Sequence, residues 1–222
     1  NSLRHVYYIT ADVDLGFNFV LCEDPDGNNY TVVPINGDYW MAENLSTTKF
    51  NNNTPIQEVQ DNTSWANLTT PGMCYYLNDP AYAEDYGIIY NYEAANSGNI
   101  CPTGWHVPTQ TEFSDLLVFL QNNGYNYDGT SDTDNDPSTN NKIAKSMSAT
   151  TSWTVTDSVG TPGNDDYKSY RNRSGFSVVG AGMRNHTIGQ TSSINRLGSF
   201  WTQTVINTSS AYRLTFLFNR VD

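Results

Sequence analysis

The residue types best suited to chemistry lie in "NICPTGWHVPTQTEFSDLLVFL", residues 99–120, where Cys101 and His106 flank Pro102 and Gly104. A thiolate nucleophile needs a base or a helix N-terminus nearby to lower its pKa, and a helix begins just beyond, at Thr109. No third residue marks itself as the group that orients such a base, and a buried cysteine or a disulfide explains the spacing equally well. Zinc is not expected, because three cysteines and three histidines are scattered without ligand spacing.

A second constellation is acidic. Asp132, Asp134 and Asp136 alternate as in calcium loops, but Pro137 and Ile143 stand where an EF-hand loop carries its Gly and Glu. A loose calcium site and a solvated polar loop both fit; the loop is the reading adopted, and no metal or cofactor is assigned. Paired carboxylates for hydrolysis, a G-x-S-x-G elbow and a phosphate-cradling loop are absent. No catalytic residue is assigned.

The elements around these residues are legible in places. Thr109 and Glu112 make a capping box behind Pro108. Phe113, Leu116, Leu117 and Leu120 then recur at helical spacing, and Asn123-Gly124 closes the helix. A second, shorter helix is expected over about residues 140–148, with Ile143, Ala144 and Met147 on one side. Asn36-Gly37 is a hairpin turn between "NYTVVPI" and Trp40. "HVYYITADV" and "FNFVLC" read as two strands around Asp14-Leu15-Gly16, and "GMCYYLNDP" as another. "NTSWANL" and the Ala-Ala part of "YGIIYNYEAAN" read as short helical pieces. The tail reads as strands, "GFSVVGAGM", "SFWTQTV" and "AYRLTFLF", between turns.

Composition sets the class. The chain has 222 residues, of which 37% are hydrophobic, 15% charged and 13% aromatic, including 15 Tyr and 5 Trp. So few aliphatic residues require a core built on aromatic anchors, with much irregular backbone from Asn, Thr, Ser and Gly. A net charge of -12 disfavours nucleic acid and anionic membrane as partners. No apolar run approaches the ~20 residues of a membrane span, and the opening "NSLRHVYYIT" does not read as a leader, which processing would remove in any case.

Five segments occur in an order that resembles one family: "DGNNYTVVPINGDYWMAENL", "YGIIYNYEAA", "CPTGWHVPTQTEF", "SGFSVVGAGMR" and "SFWTQT…AYRLTF". They are similar to the Fibrobacter succinogenes major paralogous domain, found in secreted and surface proteins of Fibrobacter and Bacteroidetes. The resemblance covers residues 22–222 and leaves 1–21 as N-terminal strands or the end of a preceding segment. It implies an α+β, C-type-lectin-like fold: a twisted antiparallel sheet, two helices and long loops. It also implies that Cys101, Trp105, His106 and Pro108 are scaffold. The formylglycine-generating relatives use paired cysteines late in the chain, and no cysteine follows Cys101. The calcium-dependent lectin motifs Glu-Pro-Asn, Gln-Pro-Asp and Trp-Asn-Asp are missing too. One departure is that the family pattern closes on a strand like Ser-Val-Arg-Cys-Val, whereas this sequence ends Arg220-Val221-Asp222.

Some members of that fold are diversified in a C-terminal cassette by retroelements, and residues 183–220 look like such a cassette. Gly198, Phe200, Trp201, Ala211 and Tyr212 punctuate a mixture of residue types. Alternation along a strand places Arg213, Thr215, Leu217 and Asn219 outward while Leu214, Phe216 and Phe218 pack inward. Ile188, Ile194 and Leu197 are expected as exposed apolar contacts. The expected ligand-binding set is completed by Asn185, His186, Ser192, Asn195, Arg196, Val205 and Ile206.

The expected function is a non-enzymatic, extracellular or outer-surface ligand-binding domain, an adhesin or receptor-binding tip. Its partner would be a protein or glycan on another cell or host surface. The alternatives are a relative of the formylglycine-generating oxidases and a structural envelope or pilus component with an assembly partner.

Overall fold

The computed structural model describes residues 8–9, 19–131, 141–207 and 210–221, so Asp132, Asp134 and Asp136 lie outside the described residues. The chain is mixed α+β, as the sequence led us to expect. Instead of one sheet, the described strands form several small ones.

Strands β1 (Tyr8–Ile9) and β2 (Phe19–Val20) pair antiparallel, with Tyr8 opposite Val20. Strands β3 (Val32–Ile35) and β4 (Asp38–Met41) form the expected hairpin. Its turn residues, Asn36 and Gly37, have φ of 55° and 82°. Positive φ at both positions is what a two-residue turn needs to match strand twist, and Asn-Gly adopts it at least cost.

Strand β5 (Gln57–Glu58) runs parallel to β6 (Gly72–Cys74), which pairs antiparallel with β7 (Ile89–Tyr90). Helix α1 (Asn62–Ala66), capped by Asp61, lies between β5 and β6 in sequence. The one-turn helices α2 (Ala83–Tyr86) and α3 (Tyr92–Ala95) flank β7.

Helix α4 (Gln110–Asn122) carries the expected capping box, Thr109 Oγ1 accepting from the Glu112 amide while Glu112 accepts from the Thr109 amide. It ends with the Tyr125 amide donating to the Leu120 carbonyl across Gly124, at φ 75°. That bond closes a helix whose next residue turns left-handed. Helix α5 (Ala144–Met147) is the expected second helix, shorter than the sequence suggested and buried at every position, Lys145 included. The tail gives two hairpins, β8 (Ala181–Arg184) with β9 (Thr191–Ile194), and β10 (Leu197–Asn207) with β11 (Ser210–Leu217).

Two principal cores meet at β4. Successive strand residues face opposite ways, so Trp40 and Met41 enter different cores. Trp40 stacks on Phe113, with ring centroids 5.6 Å apart, beside Leu116, Leu120, Met147, Phe176, Phe200 and Phe216. Met41 packs with Cys22, Leu45, Met73, Tyr90, Cys101 and Trp105. The aromatic anchors expected from composition are therefore central to both. Among the described residues no helix is long and apolar enough to cross a membrane.

Candidate functional site

Cys101 and His106 serve the frame. Cys101 is buried in the Met41 core, and burial, with Cys22 nearby, pushes its thiol well above the usual range. His106 Nε2 lies 3.0 Å from Glu112 Oε2, the carboxylate that completes the cap of α4. Trp105 donates its indole N–H to the Leu21 carbonyl at 3.2 Å, tying the same turn to the residue before Cys22. Among the described residues no group of three or more His, Cys, Asp or Glu could hold a metal ion.

Among the described residues, a cleft of about 930 Å³ lies between the α3–β7 region and the two C-terminal hairpins. Its lining includes the buried residues Trp65, Tyr90 and Phe200 and the half-buried Tyr86, Tyr92 and Trp201. Its exposed margin includes Asn96, His186, Val205, Asn207, Ser210 and Arg213.

Short-range chemistry builds each wall. Asn91 is the N-cap of α3, accepting from the Ala94 amide at 3.0 Å. The same side chain accepts from the Gly72 amide and donates to the Thr70 carbonyl, so one amide joins α3 to β6. Tyr92, the first residue of that helix, meets Trp201 edge to face at 5.4 Å. Trp201 comes from β10, and its indole N–H donates to the Tyr90 carbonyl at 3.0 Å.

Arg184 forms the other end. Its guanidinium donates to the carbonyls of Val59, Gln60 and Gly189 and to Asn62 Oδ1, and lies 4.6 Å from the Trp65 ring centre. It is a buried cation held by carbonyl oxygens and an aromatic face. The β8–β9 turn closes on α1 so tightly that a Cβ at Gly189 would stand 2.0 Å from the Asn62 carbonyl oxygen.

Electrostatically the cleft is mixed. Burial, then the Glu93 carboxylate, raises the Tyr92 hydroxyl's pKa, and burial raises that of Tyr90 further. The Tyr92 hydroxyl is buried with no hydrogen-bond partner.

Of the expected binding residues, the structure brings His186, Val205 and Arg213 to the cleft. Ile188 and Ile206 are exposed, at 57% and 53%, but outside it. Ser192 and Asn219 are exposed, while Ile194, Thr215 and Leu217 are half-buried. Asn185 is engaged in its own turn, accepting from the amides of Thr187 and Ile188. Asn195 Oδ1 accepts from the Tyr86 hydroxyl at 2.7 Å, and Arg196 lies over Phe218. Leu197 is a correction. Expected to be exposed, it is buried, where it opens β10 opposite Leu217, one ladder position from the Gly198–Phe216 pair.

The sequence reading missed Tyr86, Tyr92, Glu93 and Asn96. The signal was the density of Tyr and Asn in "YGIIYNYEAAN", which reads as core because aromatic anchors and aromatic site walls look alike in sequence.

The family model described as the Fibrobacter succinogenes major domain matches residues 33–221. No curated protein matches the chain, and no solved structure does.

Proposed function

The chain belongs to the Fibrobacter succinogenes major domain family, and from that premise we propose that it is a non-enzymatic ligand-binding domain of the cell exterior. One observation carries the reading. A rigid aromatic frame and exposed positions from the mixed C-terminal stretch line one cleft of a size suited to a ligand. Tyr92 sits on a capped helix and Trp201 is held by a backbone bond, whereas His186, Val205 and Arg213 are exposed at the cleft margin. Fixed walls with a replaceable margin suit recognition.

The proposal has three finer parts. A C-type-lectin-like fold is supported by one long helix, one short buried helix and long ordered connections between small sheets. Diversification of residues 183–220 is supported by the alternation of buried and exposed positions there. Action as an adhesin or receptor-binding tip on another cell's protein or glycan is supported by the acidic, Tyr-rich composition.

The test is adhesion of domain-coated beads to intact bacterial and host cells. Val205→Asp with Arg213→Glu should lower adhesion at least tenfold at unchanged Tm; unchanged adhesion would overturn the assignment of the cleft. Sequencing the gene across a population tests diversification, which requires substitutions confined to codons 183–220.

A further inference from the structure

Building on the reading of the cleft as a binding site, we propose that its ligand is a neutral carbohydrate, stacked on Trp201 and Tyr92 and hydrogen-bonded to the Tyr92 hydroxyl. The two rings meet with centroids 5.4 Å apart and planes at 62°, and both stay half exposed where they line the cleft. The Trp201 ring is held by its bond to the Tyr90 carbonyl, and the backbone that carries Tyr92 by the Asn91 cap at the start of α3, which leaves the phenol to turn its hydroxyl toward a ligand. Aromatic surfaces ordered in advance lose little entropy on binding. Two such surfaces at an angle accept the C–H faces of a sugar ring, an apolar body with polar edges.

The polar groups argue against the other ligand chemistries. An anion needs converging cations, yet the Arg184 guanidinium is already spent on the carbonyls of Val59, Gln60 and Gly189 and on Asn62. Among the described cleft residues this leaves Arg213 as the fixed cation, and Glu93 lines the same cleft with the opposite charge. The chain as a whole carries -12, which repels anions further. A wholly apolar ligand would leave the buried Tyr92 hydroxyl without a partner, as it is now, and a buried unpaired hydroxyl is costly. A sugar hydroxyl both donates and accepts, so it satisfies Tyr92 whichever way the phenol proton points. Glu93 and Asn96, one residue and four after Tyr92, line the same cleft and offer further carboxylate and amide partners.

The experiment titrates the whole chain with uncharged oligosaccharides, hexamers of β-linked glucose, xylose, mannose and N-acetylglucosamine, following tryptophan emission and heat of binding. At least one should bind saturably. Tyr92→Phe should weaken it about tenfold at a Tm no lower than the parent's, because it removes a buried hydroxyl that the fold leaves unpaired. Trp201→Phe should weaken it as well, with its Tm measured alongside. No saturable binding by any hexamer, or full affinity in Tyr92→Phe, overturns the proposal, as does selection of a displayed peptide that needs Tyr92 and Trp201 instead. If sugars fail while bead adhesion still depends on Val205 and Arg213, the ligand class is wrong and the binding site stands. If adhesion is also indifferent to those residues, both fall.

Discussion

Trp201 Nε1 donates to the Tyr90 carbonyl across 3.0 Å, and this bond ties β10 to β7, elements 111 positions apart in the chain. It makes the cleft wall part of the frame. Trp201→Phe should cost about 1–2 kcal/mol, a net hydrogen bond plus lost contact area. Urea denaturation measures it, and a neutral result would mean that the wall is held by packing alone.

The β10–β11 hairpin should divide by end. Phe216 is 2% exposed and Leu197 is 9% exposed, whereas Val205 and Ile206 are exposed at the other end of the ladder. Phe216→Ala should cost about 3–5 kcal/mol and Leu197→Ala about 2–4 kcal/mol, since each leaves a cavity. Val205→Thr and Ile206→Thr should stay within about 0.5 kcal/mol. Equal losses from both ends would show that the hairpin tip is structural.

Lys145 is fully buried on α5, and its ammonium donates to Asp166 Oδ1 at 2.5 Å and to the carbonyls of Asn164 and Asp166 at 2.7 Å each. Asp166 in turn accepts from the Gly160 amide at 2.8 Å. One cation thus organises the connection between α5 and the tail. Lys145→Met should cost about 3–5 kcal/mol by leaving these acceptors unpaired. Amide exchange near Gly160 should speed up in the same variant.

Asp128 accepts from Lys142 Nζ at 2.7 Å and from the Thr130 hydroxyl at 2.6 Å. Burial works to raise its pKa, but these bonds outweigh it and hold the carboxyl at about 2 against an ordinary 3.8. The folded state therefore binds fewer protons here than the unfolded state. Its stabilisation is full above the ordinary pKa and is lost as pH falls from there through the folded value. Solvent screening of this partly exposed pair reduces the contribution to about 1 kcal/mol. Asp128→Asn should lose about that much at neutral pH, and the gap from the parent should close toward about pH 2. Denaturation curves at several pH values check the sign.

All three thiols should be silent in the folded protein. Cys22 is pushed up to about 12 by burial and then by Asp24 and Glu43, and burial raises Cys74 and Cys101 as well. Ellman's reagent should find no fast thiol in the native chain and three after unfolding, since all three cysteines are free. A fast native thiol at Cys101 would restore the reactive-pair reading.

What the sequence by itself determined was local. Thr109 with Glu112, the Phe113–Leu120 stripe and Asn123-Gly124 specify α4 because caps and helical spacing act within a few residues. Asn36-Gly37 specifies the β3–β4 turn for the same reason. The ordered segments carried the family, since they record a whole fold's frame in one dimension. Strand alternation also placed Phe216 inside and Arg213 outside. Tertiary structure decided the rest. It buried Leu197, spent Asn185 and Asn195 on turns and hydroxyls, and engaged the Arg184 donors with backbone carbonyls from around β5 and α1. It also brought Tyr92 to Trp201, which lie far apart in sequence. A site of this kind is a meeting of surfaces, and no periodicity encodes which surfaces meet; that is settled by packing two aromatic cores on either side of β4.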